Sequence, residues 1–202
     1  MRYVALGDSY TIGTSVAAAE RWPDQLVARL ARTGGPALEL VANLGVNGFT
    51  TRDVLRFEVP RLAVLRPEIA SLLVGVNDVI QGVGEAEYRR NVGTILDAMI
   101  EAAGAARCFF VTTPDYTVTP AGADYGDPTT VAAAIRGCNA IGAEVATGRG
   151  VAVVDVHDVS LRAAADRSLV AVDGLHPSGL QYSLWVDRIA PVVARLALPA
   201  DN

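Results

Sequence analysis

Short β-branched runs alternate along the chain with longer segments in which apolar residues recur every three or four positions. The short runs predict five strands, Tyr3 to Gly7, Leu38 to Asn43, Ile69 to Gly75, Arg107 to Thr112 and Val151 to Val156, each followed by a helix candidate. That alternation is the mark of a parallel sheet with helices on both faces.

The first helix carries Trp22, Leu26, Val27 and Leu30 on one face, with Pro23 near its start and Gly34 and Gly35 past its end. The second opens with Thr50 and Asp53 in capping-box spacing and runs through Val54, Leu55, Leu62 and Leu65, with Pro60 expected to bend it. The third sets Tyr88, Val92, Ile95, Leu96, Met99 and Ala103 on its apolar face and stops at Gly104. A fourth starts at Asp127 and Pro128 and buries Val131, Ile135, Cys138, Ile141 and Val145. The last is capped by Ser178 and carries Leu184, Ile189, Val192 and Leu196. The expectation is one domain over residues 1–202. Two segments fall outside the alternation, Pro114 to Gly126 and His157 to Leu175, and both lie at the carboxyl edge of the predicted sheet, where ligands of open α/β sheets bind.

Composition narrows the field without choosing a function. Of 202 residues 51% are hydrophobic, enough for a sizeable core, and the net charge is -5. All 17 cations are Arg, with no polybasic run, which argues against nucleic acid and an anionic membrane as partners. No apolar stretch reaches the length of a membrane span, and the first apolar run is too short for a secretory signal. A cytoplasmic location is therefore expected, unless a leader was removed. Cys108 and Cys138 read as reduced core residues, and with only two histidines, His157 and His176, a structural zinc site is excluded.

Four polar blocks fall just past predicted strand ends or before the last helix: Gly7-Asp8-Ser9, Asn43 to Gly48, Gly75-Val76-Asn77-Asp78 and Asp173-Gly174-Leu175-His176. These are the parts of a serine hydrolase. A serine hydroxyl is a weak nucleophile until a base takes its proton, and His176 is the natural base for Ser9. Asp173, three residues earlier in a turn, is spaced to hold the imidazole in one tautomer. The oxyanion needs donors fixed beforehand, and Gly48 N–H, the Asn77 carboxamide and the Ser9 amide are candidates. Gly45 is the alternative glycine in its block. Asp8 and Asp78 read as loop anchors that accept backbone hydrogen bonds.

The four blocks, in this order over residues 7 to 177, resemble those of the SGNH or GDSL hydrolases, whose markers are Ser, Gly, Asn and His. The resemblance implies Ser9 as nucleophile, Ser9, Gly48 and Asn77 as the oxyanion hole, His176 as base and Asp173 as its partner. It also implies a flavodoxin-like three-layer α/β/α fold with strand order 2-1-3-4-5 and an esterase without cofactor or metal. Phe49 departs from the family pattern, where a small or polar residue often follows the glycine. With Tyr116 and Tyr125, Phe49 is a candidate for lining the substrate cleft.

The expected substrate is a small carboxylic ester, short-chain or acetyl, with lysophospholipids and thioesters as alternatives within the family. Two readings from other classes compete. The Ser9, Thr11, Gly13, Thr14, Ser15 loop suits a flavin- or nucleotide-binding module, although Asp8 argues against a phosphate there. A silent binding domain on the same scaffold leaves Asn77, Asp173 and His176 unexplained. A metal-assisted hydrolase would use Asp155, His157 and Asp158, whose alternation at a strand end puts Asp155 and His157 on one face.

Overall fold

A computed structural model describes residues 1–197, so the last five residues of the expected domain lie outside the described region. In chain order the elements are β1 (Arg2–Gly7), α1 (Ser9–Ile12), α2 (Trp22–Arg32), β2 (Glu39–Asn43), α3 (Thr51–Asp53), α4 (Leu62–Leu65), β3 (Ile69–Leu73), α5 (Val76–Ile80), α6 (Glu85–Ala103), β4 (Cys108–Val111), α7 (Pro128–Thr147), β5 (Ala152–Val154), α8 (His157–Leu161) and α9 (Gly179–Leu196). All strand pairs are parallel and the order is 2-1-3-4-5, the expected three-layer α/β/α fold.

Period-two alternation divides the core. Along β1, Tyr3 and Ala5 join Trp22, Leu26, Trp185 and Ile189 from α2 and α9 on one side of the sheet, while Val4 and Leu6 join Val92, Ile95 and Ile141 from α6 and α7 on the other. β4 repeats this, with Phe109 and Val111 on the first side and Cys108 and Phe110 on the second. Both cysteines are buried, free thiols, and burial pushes each up to about 12.

Three local features differ from the sequence reading. The stretch from Thr51 to Leu65 is one continuous coil of changing pitch, with a wide turn over Val54–Glu58 and a tight one over Val59–Arg61. Pro60 has no N–H and its ring excludes the carbonyl four residues earlier, so the α-ladder cannot pass it unchanged. Second, α9 centres its buried face on Tyr182, Trp185, Ile189 and Val193, and Leu184, Val192 and Leu196 lie only partly buried beside it. The two large aromatic rings set the rotation of that helix, since they bring the most apolar area to the core. Third, two short helices, α5 and α8, open directly from strand ends where the sequence suggested loops.

Candidate active site

The topology leaves a crevice at the carboxyl edge where the connection from β1 leaves to one side and that from β3 to the other. Ser9 is the first residue of α1, directly after β1, and Asp8 caps that helix by accepting from the Tyr10 N–H at 3.0 Å. Capping is thus the role of Asp8. Ser9 is left with its hydroxyl facing the crevice and, as a first-turn residue, an amide without an intrahelical acceptor.

His176 Nε2 lies 3.0 Å from Ser9 Oγ. On the other side of the ring, Nδ1 lies 2.7 Å from Asp173 Oδ2. The carboxylate is itself held, with Oδ1 accepting from the amides of Leu175 at 2.9 Å and His176 at 3.0 Å, and Oδ2 from Ser15 Oγ at 2.6 Å. Partial burial would raise the Asp173 carboxyl, but these donors, Ser15 first, outweigh it and hold the group down at about 2. It is therefore an anion throughout the neutral range, and an anion there favours the Nδ1–H tautomer that leaves Nε2 free to accept.

The loop after β2 places Gly48 at φ +81°, a conformation only glycine adopts without strain, with open space where a Cβ would stand. Gly45 differs. A Cβ there would come within 2.7 Å of the Asp8 carbonyl oxygen, so Gly45 serves close packing against the start of α1, and its amide is directed to Asn43 Oδ1. Three side chains from α5 and its end hold the Gly48–Thr51 loop. Asn77 Nδ2 donates to the Phe49 carbonyl at 2.9 Å, Gln81 Nε2 to the Gly48 carbonyl at 2.9 Å, and buried Asp78 accepts from the Thr51 N–H at 3.0 Å and from its hydroxyl. One N–H of Asn77 is thereby used and the second remains for a ligand. Burial raises the Asp78 carboxyl to about 6 against the Thr51 bonds, which fits an anchor.

A cavity of about 220 Å³ brings these groups together, lined by Ser9, Gly48, Asn77 and His176 on its polar side and by Val76, Ile80, Tyr116, Tyr125 and Leu175 on its apolar side. Tyr116 and Tyr125 meet edge to face at 5.8 Å. Phe49 is not among the residues that line this cavity; its ring lies 5.7 Å from that of Phe57, and its carbonyl accepts from Asn77 Nδ2.

The metal alternative is corrected as well. β5 ends at Val154 and His157 opens α8, so the alternation meant to align Asp155 with His157 stops before it reaches them. Asp155 accepts from Thr112 Oγ1 at 2.7 Å and Asp158 pairs with Arg188 at 2.7 Å, so both are committed elsewhere. Among the described residues no group of three or more His, Cys, Asp or Glu is placed to hold a metal ion. The phosphate-loop reading meets a similar obstacle, since the hydroxyls of Thr11, Thr14 and Ser15 already donate to Leu6 O, Asn47 Oδ1 and Asp173 Oδ2.

The family model of GDSL-like lipases and acylhydrolases matches residues 5–184. The chain belongs to that family. No curated protein sequence matches it. Among solved structures, the lipase/acylhydrolase from Enterococcus faecalis aligns at TM-score 0.78 and 22% identity, covering 100% of this chain and 99% of that one. An acetyl xylan esterase from Geobacillus stearothermophilus aligns at 0.71 and 17%, covering 98% and 97%. The psychrotrophic esterase EstA from Pseudoalteromonas sp. aligns at 0.71 and 18%, covering 95% and 96%. At these identities the likeness is one of fold. Among the described residues no helix is long and apolar enough to cross a membrane.

Two further side chains bear on the site: Ser15, which the sequence offers only as part of a phosphate loop, and Glu58, which it does not single out. Glu58 is buried and Oε2 accepts from the Gly7 N–H at 2.9 Å, immediately before Asp8 and Ser9.

Proposed function

We propose that the chain is a carboxylic-ester hydrolase working through an acyl-serine intermediate on Ser9. The observation that carries this reading is the unbroken relay Ser9 Oγ, His176 Nε2, His176 Nδ1, Asp173 Oδ2, with steps of 3.0 Å and 2.7 Å, opening into a cavity. Ser9 Oγ attacks the ester carbonyl carbon as its proton passes to His176 Nε2. The oxygen that becomes negative is stabilised by the amides of Ser9 and Gly48 and by the second Asn77 N–H. Collapse expels the alkoxide, which takes the proton from His176 and leaves as alcohol. Water then attacks the acyl-serine carbonyl while His176 accepts one of its protons. The second collapse breaks the bond to Ser9 Oγ, returns that proton to it, and releases the carboxylic acid. Asp173 stays ionised throughout and keeps the imidazole oriented. No step runs through a metal or a cofactor.

A cavity of about 220 Å³ is small beside sites for drug-sized ligands, and its apolar side fits an acetyl or short acyl group. An acetyl xylan esterase is among the proteins of like fold, which agrees with that choice without fixing the alcohol. The test has two parts. A fluorophosphonate should label Ser9 covalently and stop activity; labelling at another serine overturns the assignment. A panel of p-nitrophenyl esters of rising chain length, with acetylated sugars and acyl-coenzyme A thioesters, should show turnover falling beyond short acyl chains. A maximum at long chains or at thioesters would transfer the proposal to a lysophospholipase or a thioesterase.

A further inference from the structure

Among the described residues only Ser15 and Arg66 combine a side chain with positive φ, and Ser15 stands at +65°. A Cβ is strained in this region, and such strain persists where other interactions over-determine it. At Ser15 the evident one is the hydrogen bond its Oγ donates to Asp173 Oδ2 at 2.6 Å, on the same oxygen that meets His176 Nδ1. The other donors to that carboxylate, the Leu175 and His176 amides and the His176 ring, all belong to its own loop. Ser15 lies just past α1, the helix that opens with Ser9, 158 residues away in sequence from Asp173.

We propose that Ser15 is a positioning residue that clamps the Asp173 carboxylate from the nucleophile's side and so keeps His176 Nε2 in register with Ser9 Oγ. The inference rests on the ester-hydrolase reading above. The Asp173 side chain is 28% exposed, so water competes for its oxygens, and bonds within its own loop fix the loop internally without fixing it to β1. Besides the packing of the Tyr10 ring on the His176 ring, the hydrogen bond that joins the two segments directly, Ser9 Oγ to His176 Nε2, is the one whose proton moves in every turnover. Ser15 supplies a second hydrogen bond that the reaction never consumes. Its neighbour Thr14 makes a parallel link, donating to Asn47 Oδ1 beside Gly48, so adjacent hydroxyls tie the nucleophile loop to both the base loop and the oxyanion loop. The Ser/Thr character of this loop, which first suggested a phosphate site, has its explanation here.

Ser15→Gly separates catalysis from stability, because it removes the hydroxyl and relieves the strained φ together. With a short p-nitrophenyl ester, kcat should fall about 10- to 100-fold, the range expected when a catalytic group loses its alignment, with KM unchanged and the melting temperature equal to or above that of the parent. Ser15→Thr keeps the hydroxyl in the strained conformation and should restore kcat to within a few-fold while melting lower than Ser15→Gly. Activity and stability then rank in opposite orders, which a structural role alone does not produce. The Nδ1 proton resonance of His176, read by NMR without substrate, should shift in Ser15→Gly and return in Ser15→Thr. An unmoved resonance with parental kcat in Ser15→Gly, or kcat that tracks melting temperature across the variants, overturns the proposal. Turnover by Ser9→Ala would instead overturn the acyl-serine reading, and the resonance would still judge the clamp.

Discussion

Glu58 gives the sharpest quantitative consequence of this structure. It is 2% exposed, Oε2 accepts from Gly7 N–H, and the buried Oε1 has no protein partner among the described residues. Asp8 lies near enough to interact with it electrostatically, is wholly buried, and has an unpartnered Oδ2 of its own. Burial, opposed by the Gly7 bond and reinforced by Asp8, raises Glu58 to about 9; burial likewise raises Asp8 to about 8. A carboxyl whose pKa is higher folded than unfolded holds a proton in the native state while the unfolded chain has lost it. The native state thus binds more protons, and stability falls as pH rises from the unfolded value, about 4.3, toward the folded one. Each such group steepens the fall by up to about 1.4 kcal/mol per pH unit.

Glu58→Gln removes this titration and keeps a carbonyl for the Gly7 amide. At pH 5 the variant should already lead by about 1 kcal/mol, since Glu58 is neutral in the native state but mostly ionised in the unfolded chain. At pH 8 the ionisation difference sets a ceiling of about 5 kcal/mol in favour of the variant, and relaxation around a buried charge lowers this to about 2 kcal/mol, or roughly 4–8 °C in Tm for a chain of this size. Urea unfolding at pH 5, 6, 7 and 8 measures the difference directly, with equal m-values as the check that the unfolded states match. Parallel pH curves for the two proteins would falsify the argument, and a variant that loses stability relative to the parent as pH rises would mean that Glu58 is ionised and paired.

Replacing His176 by Ala should lower kcat by roughly 10³- to 10⁶-fold, and the double replacement with Ser9→Ala should cost no more than the worse single one, because the relay acts as a unit. Asn77→Ala should lower kcat by about 10²- to 10³-fold with KM little changed; a rise in KM alone would remove Asn77 from the oxyanion site. Ile80→Ala and Tyr125→Ala enlarge the apolar side of the cavity at its exposed rim, so the ratio of kcat/KM for a six-carbon over a two-carbon acyl ester should rise about tenfold. Equal changes for both esters would place the acyl group elsewhere. His157→Ala should alter kcat/KM by less than about tenfold, and treatment with EDTA should leave activity intact, whereas a chelator-induced loss restored by a divalent ion would move the chemistry to Asp155 and Asp158.

How far the fold was legible follows from the length of each signal. The helices over Trp22–Arg32, Glu85–Ala103 and Pro128–Thr147 are long enough to display their period, and Asp127 and Ser178 do cap their helices. α5 and α8 have five residues each, little more than one turn, too few to display a period. Gly48 is preferred over Gly45 only on the family resemblance, whereas Ser9, Asn77, Asp173 and His176 stood out as polar residues just past strand ends or before the last helix. Ser15 did not, since a serine in a loop is ordinary until its partner 158 residues away is known.

Glu58 is the instructive miss, because its signal was in the chain. Val54, Glu58 and Leu62 recur at intervals of four and are all buried, so the glutamate interrupts an apolar stripe facing the core. An acid at such a position must either find donors or keep its proton. The Gly7 amide supplies one donor and leaves the second oxygen bare, which is why the proton stays. Because Gly7 is the last residue of β1, that carboxyl fixes the strand end from which Asp8 and Ser9 depart. A charged residue on the apolar stripe of a helix is thus a prompt to ask which backbone it was placed to bind, and here the answer lies two residues from Ser9.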